Sequence, residues 1–217
     1  MRQMIEDIET EVRYTADMIG RHRLSDRVID AMRRVPRHLF VDPGLLDEAY
    51  DNNPLPIGYG QTISQPYMVA VMTDLLELQP HQKILEVGFG SGYQAAVLSL
   101  LVKQVISLEI ISPLADRAHR LLKQQGYHNV QVIQADGHFG WADEAPYDGI
   151  IVTAAPEEIP QPLIDQLAPE SHLIIPVGFQ GIGQQLMDVH KAKDGSINTR
   201  SRLGVRFVPL TSSTQPD

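Results

Sequence analysis

The chain has 217 residues, enough for one α/β domain of ordinary size with a short appendage. Its 27 acidic residues outnumber its 18 Lys and Arg, and the net charge of −9 argues against a nucleic-acid partner, because such binding depends on basic surfaces. Without cysteine, a signal-peptide pattern or an apolar run of ~18 residues, the chain excludes disulfides and thiolate chemistry, and we expect a cytoplasmic protein with no membrane partner.

Two amphipathic helices are predicted at the N-terminus. The first covers residues 1–20, and its apolar stripe consists of Ile5, Ile8, Val12 and Ile19. The second begins at Ser25 as N-cap and ends before Pro36. Residues 36–62 are rich in Pro, Gly and Asn and are predicted to be mostly irregular, which is typical of a functional loop.

Strands and helices alternate through the middle of the chain. Strands are predicted at 83–87, 104–109, 130–134, 149–153 and 172–177, and helices from residue 66 and at 92–102, 113–125 and 160–168. Ser112 is the predicted cap of the 113–125 helix, and Gly126 suits the left-handed position that closes it. This alternation predicts an α/β fold with a doubly wound, mostly parallel sheet.

The tail is predicted to end the sheet differently. Residues 185–190 and 197–208 are expected to pair as an antiparallel hairpin across a turn at Asp194-Gly195. We therefore expect a single domain over 1–217. Residues 1–65 would form N-terminal helices and a substrate-side loop, 66–180 the Rossmann-like core, and 181–217 the C-terminal strands.

A glycine-rich loop follows the first core strand, in the sequence Glu86-Val87-Gly88-Phe89-Gly90-Ser91-Gly92. Closely spaced glycines let a ligand approach the backbone, and ligands of such sheets bind at the carboxyl ends of the strands. Glu109 ends the next strand, where its carboxylate can accept hydrogen bonds from ribose hydroxyls. A nicotinamide cofactor would fit the same logic, but the dinucleotide fingerprint requires its third glycine at the position of Tyr93.

An acidic residue two positions before a G-x-G-x-G loop resembles the first motif of Rossmann-like methyltransferases. The resemblance implies that Gly88, Gly90 and Gly92 hold the methionine part of S-adenosylmethionine, with Glu86 as the acidic residue of the motif. It further implies that Glu109 binds the ribose, that Asp136-Gly137 lies at the adenine edge, and that S-adenosylhomocysteine is the product. A tight strand–helix turn without a ligand is the alternative interpretation of the glycines.

A narrower resemblance is carried by residues 60–68, which read GQTISQPYM. This segment closely resembles the substrate-side motif of protein-L-isoaspartate O-methyltransferases, especially the bacterial form. Collinear matches occur at 35–41, 55–58, 136–141, 145–148, 150–156, 174–178 and 205–210. The resemblance implies a repair enzyme that methylates the free α-carboxylate of L-isoaspartyl residues in damaged proteins. It also implies cofactor contacts at Thr62, Ile63, Ser64 and Thr211, and less firmly at Gln215.

Ser64 is the predicted catalytic residue. The substrate carboxylate is already ionised at neutral pH, so methyl transfer needs no strong general base. A neutral hydroxyl can orient the carboxylate oxygen without quenching its charge, and the resemblance assigns Ser64 to this role. Capping of the helix that begins near Pro66 is the alternative role for Ser64.

Other functions stay open at this point. A methyltransferase acting on RNA or a small molecule, an NAD-dependent oxidoreductase, and an inactive binding module on the same fold are the alternatives. The eight histidines are scattered, so no metal site is predicted. We expect a monomer whose partners are isoaspartyl-containing proteins and peptides, and not nucleic acids.

Overall fold

The N-terminal helices form as predicted in a computed structural model that describes residues 1–179 and 181–212. Helix α1 (Arg2–Ile19) buries its predicted stripe of Ile5, Ile8, Val12 and Ile19. Helix α2 (Asp26–Arg34) begins after Ser25, whose hydroxyl oxygen accepts the backbone N–H of Val28. It ends at Val35, just before Pro36.

The segment 36–62 is more regular than predicted. It contains two short 3-10 helices, Arg37–Phe40 and Pro43–Glu48, and an antiparallel hairpin of β1 (Leu55–Gly58) and β2 (Gln61–Ile63). The strands have only four and three residues, and Pro56 and the glycines that flank Tyr59 conceal a short apolar alternation. Leu55, Ile57 and Ile63 are buried, and this burial holds the hairpin against the core.

Arg37 holds this segment together and contacts the helix that follows the glycine loop. Its buried side chain donates from Nε to the carbonyl of Ala49 (3.0 Å) and from Nη2 to that of Asn53 (3.3 Å). The guanidinium lies 4.9 Å from the centroid of the Tyr93 ring, so a cation–π contact adds to the attachment. Burial lowers the pKa of Arg37 to about 10, which still leaves it charged at neutral pH.

The remaining elements build one seven-stranded sheet. They are α3 (Pro66–Leu75), β3 (Lys83–Val87), α4 (Tyr93–Ser99), β4 (Gln104–Glu109), α5 (Ser112–Gln124), β5 (Val130–Gln134), β6 (Gly149–Val152), α6 (Gln161–Gln166), β7 (Ser171–Val177), β8 (Gln184–Lys191) and β9 (Ile197–Val205). The strand order is β5-β4-β3-β6-β7-β8-β9. The neighbours from β5 to β7 pair in parallel, whereas β8 pairs antiparallel with both β7 and β9. The predicted fold class is confirmed.

Two boundaries were predicted wrongly, for local reasons. Helix α5 begins with Ser112 itself, and Ile111 precedes it without a side-chain cap, so the Ser112 cap is wrong. Gly126 does adopt the left-handed conformation predicted for it, with φ +81°. The last strand was predicted to reach residue 208, but β9 ends at Val205. Beyond Val205 the chain leaves the hairpin and runs beside the end of β6.

The backbone bonds of this returning tail are specific. The N–H of Ala155 donates to the carbonyl of Val208 (2.8 Å), and the N–H of Leu210 donates to the carbonyl of Ala155 (2.9 Å). The tail therefore comes to the carboxyl edge of the parallel strands.

The two faces of the sheet carry separate cores. One core packs α1 to α5 against the sheet, and the other packs α6 against the opposite face. The strand order reverses between β3 and β6, which opens a crevice at their carboxyl ends. No helix within 1–179 or 181–212 has both the length and the hydrophobicity required to cross a membrane.

Candidate functional site

Two clefts meet at the carboxyl edge of the parallel strands. The inner cleft lies between the glycine loop, the end of β4, the hairpin and the returning tail. The outer cleft lies between the segment around Ser64 and the end of β9. Thr62, Thr153 and Val208 line both clefts and mark their junction.

The glycine loop, residues 88–92, is hydrogen-bonded to the neighbouring strand β4. The backbone N–H groups of Gly88 and Phe89 both donate to the carbonyl of Leu108 (3.0 Å each). Gly88 has φ +93°, and a Cβ there would lie 2.6 Å from Thr153 Oγ1. Thr153 Oγ1 in turn donates to the carbonyl of Gly88 (2.6 Å), so the end of β6 clamps the loop. Thr153 was not among the predicted cofactor residues, and its position directly after a parallel strand was the available signal.

Glu109 lines the inner cleft and is almost fully buried. Its Oε2 accepts the N–H of Gly90 and its Oε1 accepts the N–H of Ile111, both at 2.8 Å. Each carboxylate oxygen keeps a further lone pair for a hydroxyl donor, so the group is oriented without being saturated. This arrangement fits a ribose at the position predicted from the sequence.

Gly137 forms a close wall of the inner cleft. A Cβ on Gly137 would lie 2.2 Å from Val87 Cγ1, so the backbone passes directly against the end of β3. The apolar side chains Leu108, Ile111 and Leu210 line the same region. A cleft lined by these groups suits a flat ring system such as adenine, and Thr211 is a further lining residue.

Asp136 does not line either cleft. Its Oδ1 accepts the backbone N–H of His138 (3.0 Å), and its Oδ2 accepts the hydroxyl of Ser212 (2.7 Å). The carboxylate thus ties the turn that carries Gly137 to the returning tail. The carboxylate therefore positions this turn, and the direct contact of Asp136 with the cofactor stays a prediction.

Three more predicted cofactor residues lie behind the cleft walls. Ile63 is buried in the core under the hairpin, and Gly92, with φ +85°, precedes α4 as its N-cap. Glu86 is fully buried on β3 and accepts a hydrogen bond from the Ser107 hydroxyl. Thr62, Gly88, Gly90, Glu109, Gly137 and Thr211 are the predicted residues that line the inner cleft. Gln215 lies outside the described residues.

Burial raises the pKa of Glu86 to about 8 from its ordinary 4.5, because desolvation disfavours the charged form. The neighbouring carboxylate of Glu109 raises it further, and the Ser107 hydroxyl opposes the shift. Glu86 is therefore protonated at neutral pH. It lies on β3 as a neutral group that is hydrogen-bonded to Ser107 on the neighbouring strand.

We expect Glu86→Gln to flatten the pH dependence of stability. Between pH 4.5 and about 8 the folded protein keeps a proton that the unfolded chain loses, so the free energy of unfolding falls as pH rises. The slope from one such group is roughly 1 kcal/mol per pH unit. Urea titrations from pH 5 to 8 measure it. Glu9→Gln, at an exposed position on α1, is the control and should keep the wild-type slope; an unchanged slope in Glu86→Gln would contradict the protonated state.

Ser64 lies on the outer cleft only, between β2 and α3. It does not cap α3: Gln65 is the N-cap residue and provides no side-chain bond. The capping oxygen comes from Asn52, whose Oδ1 accepts the N–H of Tyr67 (2.9 Å). The alternative reading of Ser64 as a helix cap is therefore wrong, and its hydroxyl has no hydrogen bond to the described part of the chain.

Glu11 on α1 binds Gln65, which follows Ser64, and Asn52, which caps the next helix. Its Oε2 accepts the side-chain amides of Asn52 (2.7 Å) and Gln65 (3.1 Å). Glu11 also lines the outer cleft. No sequence pattern indicates this role, because Asn52 and Gln65 lie 41 and 54 positions from Glu11 and only the packing of α1 brings them together.

Comparison with known proteins gives one consistent result. Residues 16–215 match the model of the family described as Protein-L-isoaspartate(D-aspartate) O-methyltransferase. The protein-L-isoaspartate O-methyltransferases 2 of Syntrophobacter fumaroxidans and Nitrosococcus oceani are each 54% identical to this chain. The first aligns over 96% of this chain and 85% of its own length, and the second over 97% and 95%.

A solved structure agrees. A Plasmodium falciparum protein described as a protein-L-isoaspartate O-methyltransferase, in complex with S-adenosyl-L-homocysteine, is 26% identical with a TM-score of 0.79. The match covers 96% of this chain and 97% of that one. The resemblance found in the sequence is confirmed, and the chain belongs to the protein-L-isoaspartate(D-aspartate) O-methyltransferase family.

Proposed function

We propose that this protein transfers a methyl group from S-adenosylmethionine to the free α-carboxylate of L-isoaspartyl residues in damaged proteins and peptides. The observation that carries the proposal is the junction of the two clefts at Thr62, Thr153 and Val208. A donor in the inner cleft and a peptide in the outer cleft would meet there. Family membership counts against an NAD-dependent oxidoreductase and against a methyltransferase of RNA or small molecules.

The inner cleft would hold the donor by its own walls. S-adenosylmethionine supplies an electrophilic methyl group on a positively charged sulfur. Glu109 would bind the ribose hydroxyls, and the slot beside Gly137 would hold the adenine. Gly88 and Gly90 would let the methionine part approach the backbone, in a loop fixed by Thr153.

In the outer cleft, Ser64 would donate its hydroxyl hydrogen to one carboxylate oxygen and aim the other at the methyl group. The carboxylate needs no deprotonation at neutral pH, so alignment and exclusion of water are the main tasks of the protein. Alignment of this kind can lower a barrier by roughly 7–11 kcal/mol. A neutral donor suits the task because a close cation would stabilise the reactant carboxylate as well.

The product ester accounts for repair. The following backbone nitrogen displaces methanol from the ester to close a succinimide, since methanol leaves more readily than hydroxide. Hydrolysis of the ring then returns part of the chain to a normal aspartyl linkage. Neither step requires a group of this protein.

The deciding assay offers radiolabelled S-adenosylmethionine together with two peptides that differ only in Asp or isoAsp. We expect label on the isoAsp peptide alone, as an ester that mild base releases as methanol. Label on both peptides, or label that resists base, would disprove the function. Titration calorimetry with S-adenosylhomocysteine separately tests occupancy of the inner cleft.

We expect Glu11→Ala to lower kcat about tenfold, because Asn52 and Gln65 lose their shared acceptor and the Ser64 segment gains freedom. Glu11→Gln, which retains an oxygen acceptor, should recover part of this activity. Binding of S-adenosylhomocysteine should change little, since Glu11 lies outside the inner cleft. Equal loss in both variants, or weaker product binding, would argue for general destabilisation instead.

We further propose that the protein is a cytoplasmic monomer acting on proteins and not on nucleic acids. The net charge of −9 supports the exclusion of nucleic acids.

Segments 1–65, 66–180 and 181–217 are proposed to form one domain, and the inner cleft supports this because each segment contributes a lining residue, such as Thr62, Glu109 and Leu210. Light scattering should give a mass near 24.2 kDa.

A further inference from the structure

We propose that Arg206 makes the outer cleft selective for substrates with an acidic side chain close to the isoaspartyl residue. The inference rests on the proposed function and deepens it, by naming which damaged sequences the cleft favours.

Glu11 and Arg206 are the two charged side chains among the described residues that line this cleft. The Glu11 carboxylate is engaged by two amide donors, from Asn52 and Gln65. Arg206 is exposed and has no hydrogen bond or ion pair to residues 1–179 or 181–212. Glu11 keeps its charge, but of the two groups the Arg206 guanidinium is the one without a partner among the described residues, so it is the group available to pair with a bound peptide.

The backbone beside Arg206 is fixed by a buried amide. Gln184 Oε1 accepts the N–H of Phe207 (2.6 Å), and Gln184 Nε2 donates to the carbonyl of Phe207 (3.2 Å). Both Gln184 and Phe207 are buried. Phe207 thus points inward, and Arg206 projects on the open side of a segment that is held in place.

The position of Arg206 relative to the junction sets which substrate residue it can reach. Val208, two residues further along, lines both clefts, so Arg206 lies roughly 7 Å along the chain from the junction. An extended peptide rises by the same amount over two residues. A side chain one or two positions from the isoaspartyl residue would therefore face the guanidinium, which pairs with a carboxylate through two parallel hydrogen bonds.

The test uses isoAsp peptides that are identical except for Glu, Gln or Lys two positions before, or two positions after, the isoAsp. We expect wild-type kcat/KM to be roughly fivefold higher for Glu than for Lys on one of these sides, as for an exposed ion pair. Arg206→Glu should reverse the order. Added salt should shrink the difference, because the charges are exposed to solvent.

Arg200→Glu is the matched control, since it makes the same change of net charge at an exposed position on β9, outside the outer cleft. It should keep the wild-type preference. Equal rates for the Glu and Lys peptides in wild type, an equal shift in both variants, or a uniform loss on all peptides in Arg206→Glu would each overturn the proposal. The Gln peptide distinguishes failure of the selectivity from failure of the proposed function. If wild type methylates it, the function holds whatever the charge preference is; if wild type methylates no isoAsp peptide at all, the proposed function itself fails.

Discussion

Replacing Ser64 with Ala is expected to lower kcat about 100-fold, the scale seen when one orienting contact at a reacting group is lost. The binding constant for S-adenosylhomocysteine should stay near wild type, because Ser64 lines the outer cleft and not the inner one. Stability should also change little, since Asn52 and not Ser64 provides the capping oxygen of α3. Initial rates with an isoAsp peptide, calorimetry and urea unfolding measure the three quantities.

Ser25→Ala is the control, and it should lower stability without lowering kcat. Ser25 caps α2 through the N–H of Val28, so its loss should cost about 1 kcal/mol of stability and leave kcat unchanged. Ser64→Thr, which keeps a hydroxyl, should retain more activity than Ser64→Ala. Methyl transfer by Ser64→Ala at a wild-type rate would remove Ser64 from the mechanism.

Gly88→Ala is expected to abolish measurable binding of S-adenosylhomocysteine, a loss of at least about 100-fold. The φ of +93° strains any residue with a Cβ by roughly 1–3 kcal/mol, and the new Cβ would also lie 2.6 Å from Thr153 Oγ1. The loop must shift to relieve this contact, and the shift moves the backbone that faces the donor. Calorimetry on the folded variant, checked by circular dichroism, gives the binding constant.

Two further variants separate the collision from the backbone strain. Gly126→Ala carries a similar φ of +81° with no atom near the new Cβ, so it should lose stability and keep full affinity. Gly88→Ala combined with Thr153→Ala removes the colliding hydroxyl and should bind better than Gly88→Ala alone, a non-additive result that a double-mutant cycle detects. Tight binding by Gly88→Ala would show that the loop does not contact the donor.

The parts of the fold that depend on local pattern were predictable from the sequence. The apolar run of β3 predicts a buried strand, and the glycines directly after it predict a ligand loop. Glu109 was predicted because it ends the next strand, β4. The hairpin of β1 and β2 was not predicted, because strands of three and four residues containing Pro56 fall below the length at which alternation is informative.

The site was predictable at the glycine loop and much less so beyond it. Glu11 reaches Gln65 only because α1 packs beside α3, and the returning tail reaches the inner cleft only because β9 ends at Val205. Glu86 satisfies the acidic position of the motif but is directed into the core, and sequence spacing does not distinguish a buried carboxyl from an exposed one. Contacts across long chain separations require the fold itself.

The tail that runs beside β6 has a consequence for biosynthesis. Leu210 and Thr211 line the inner cleft, yet they follow all seven strands of the large sheet in the chain. On a translating ribosome, β3 to β7 can assemble while these residues are still inside the exit tunnel. A nascent chain that has assembled β3 to β7 would then still lack the part of the inner cleft that Leu210 and Thr211 provide, and the cleft would be completed only after residue 211 has emerged.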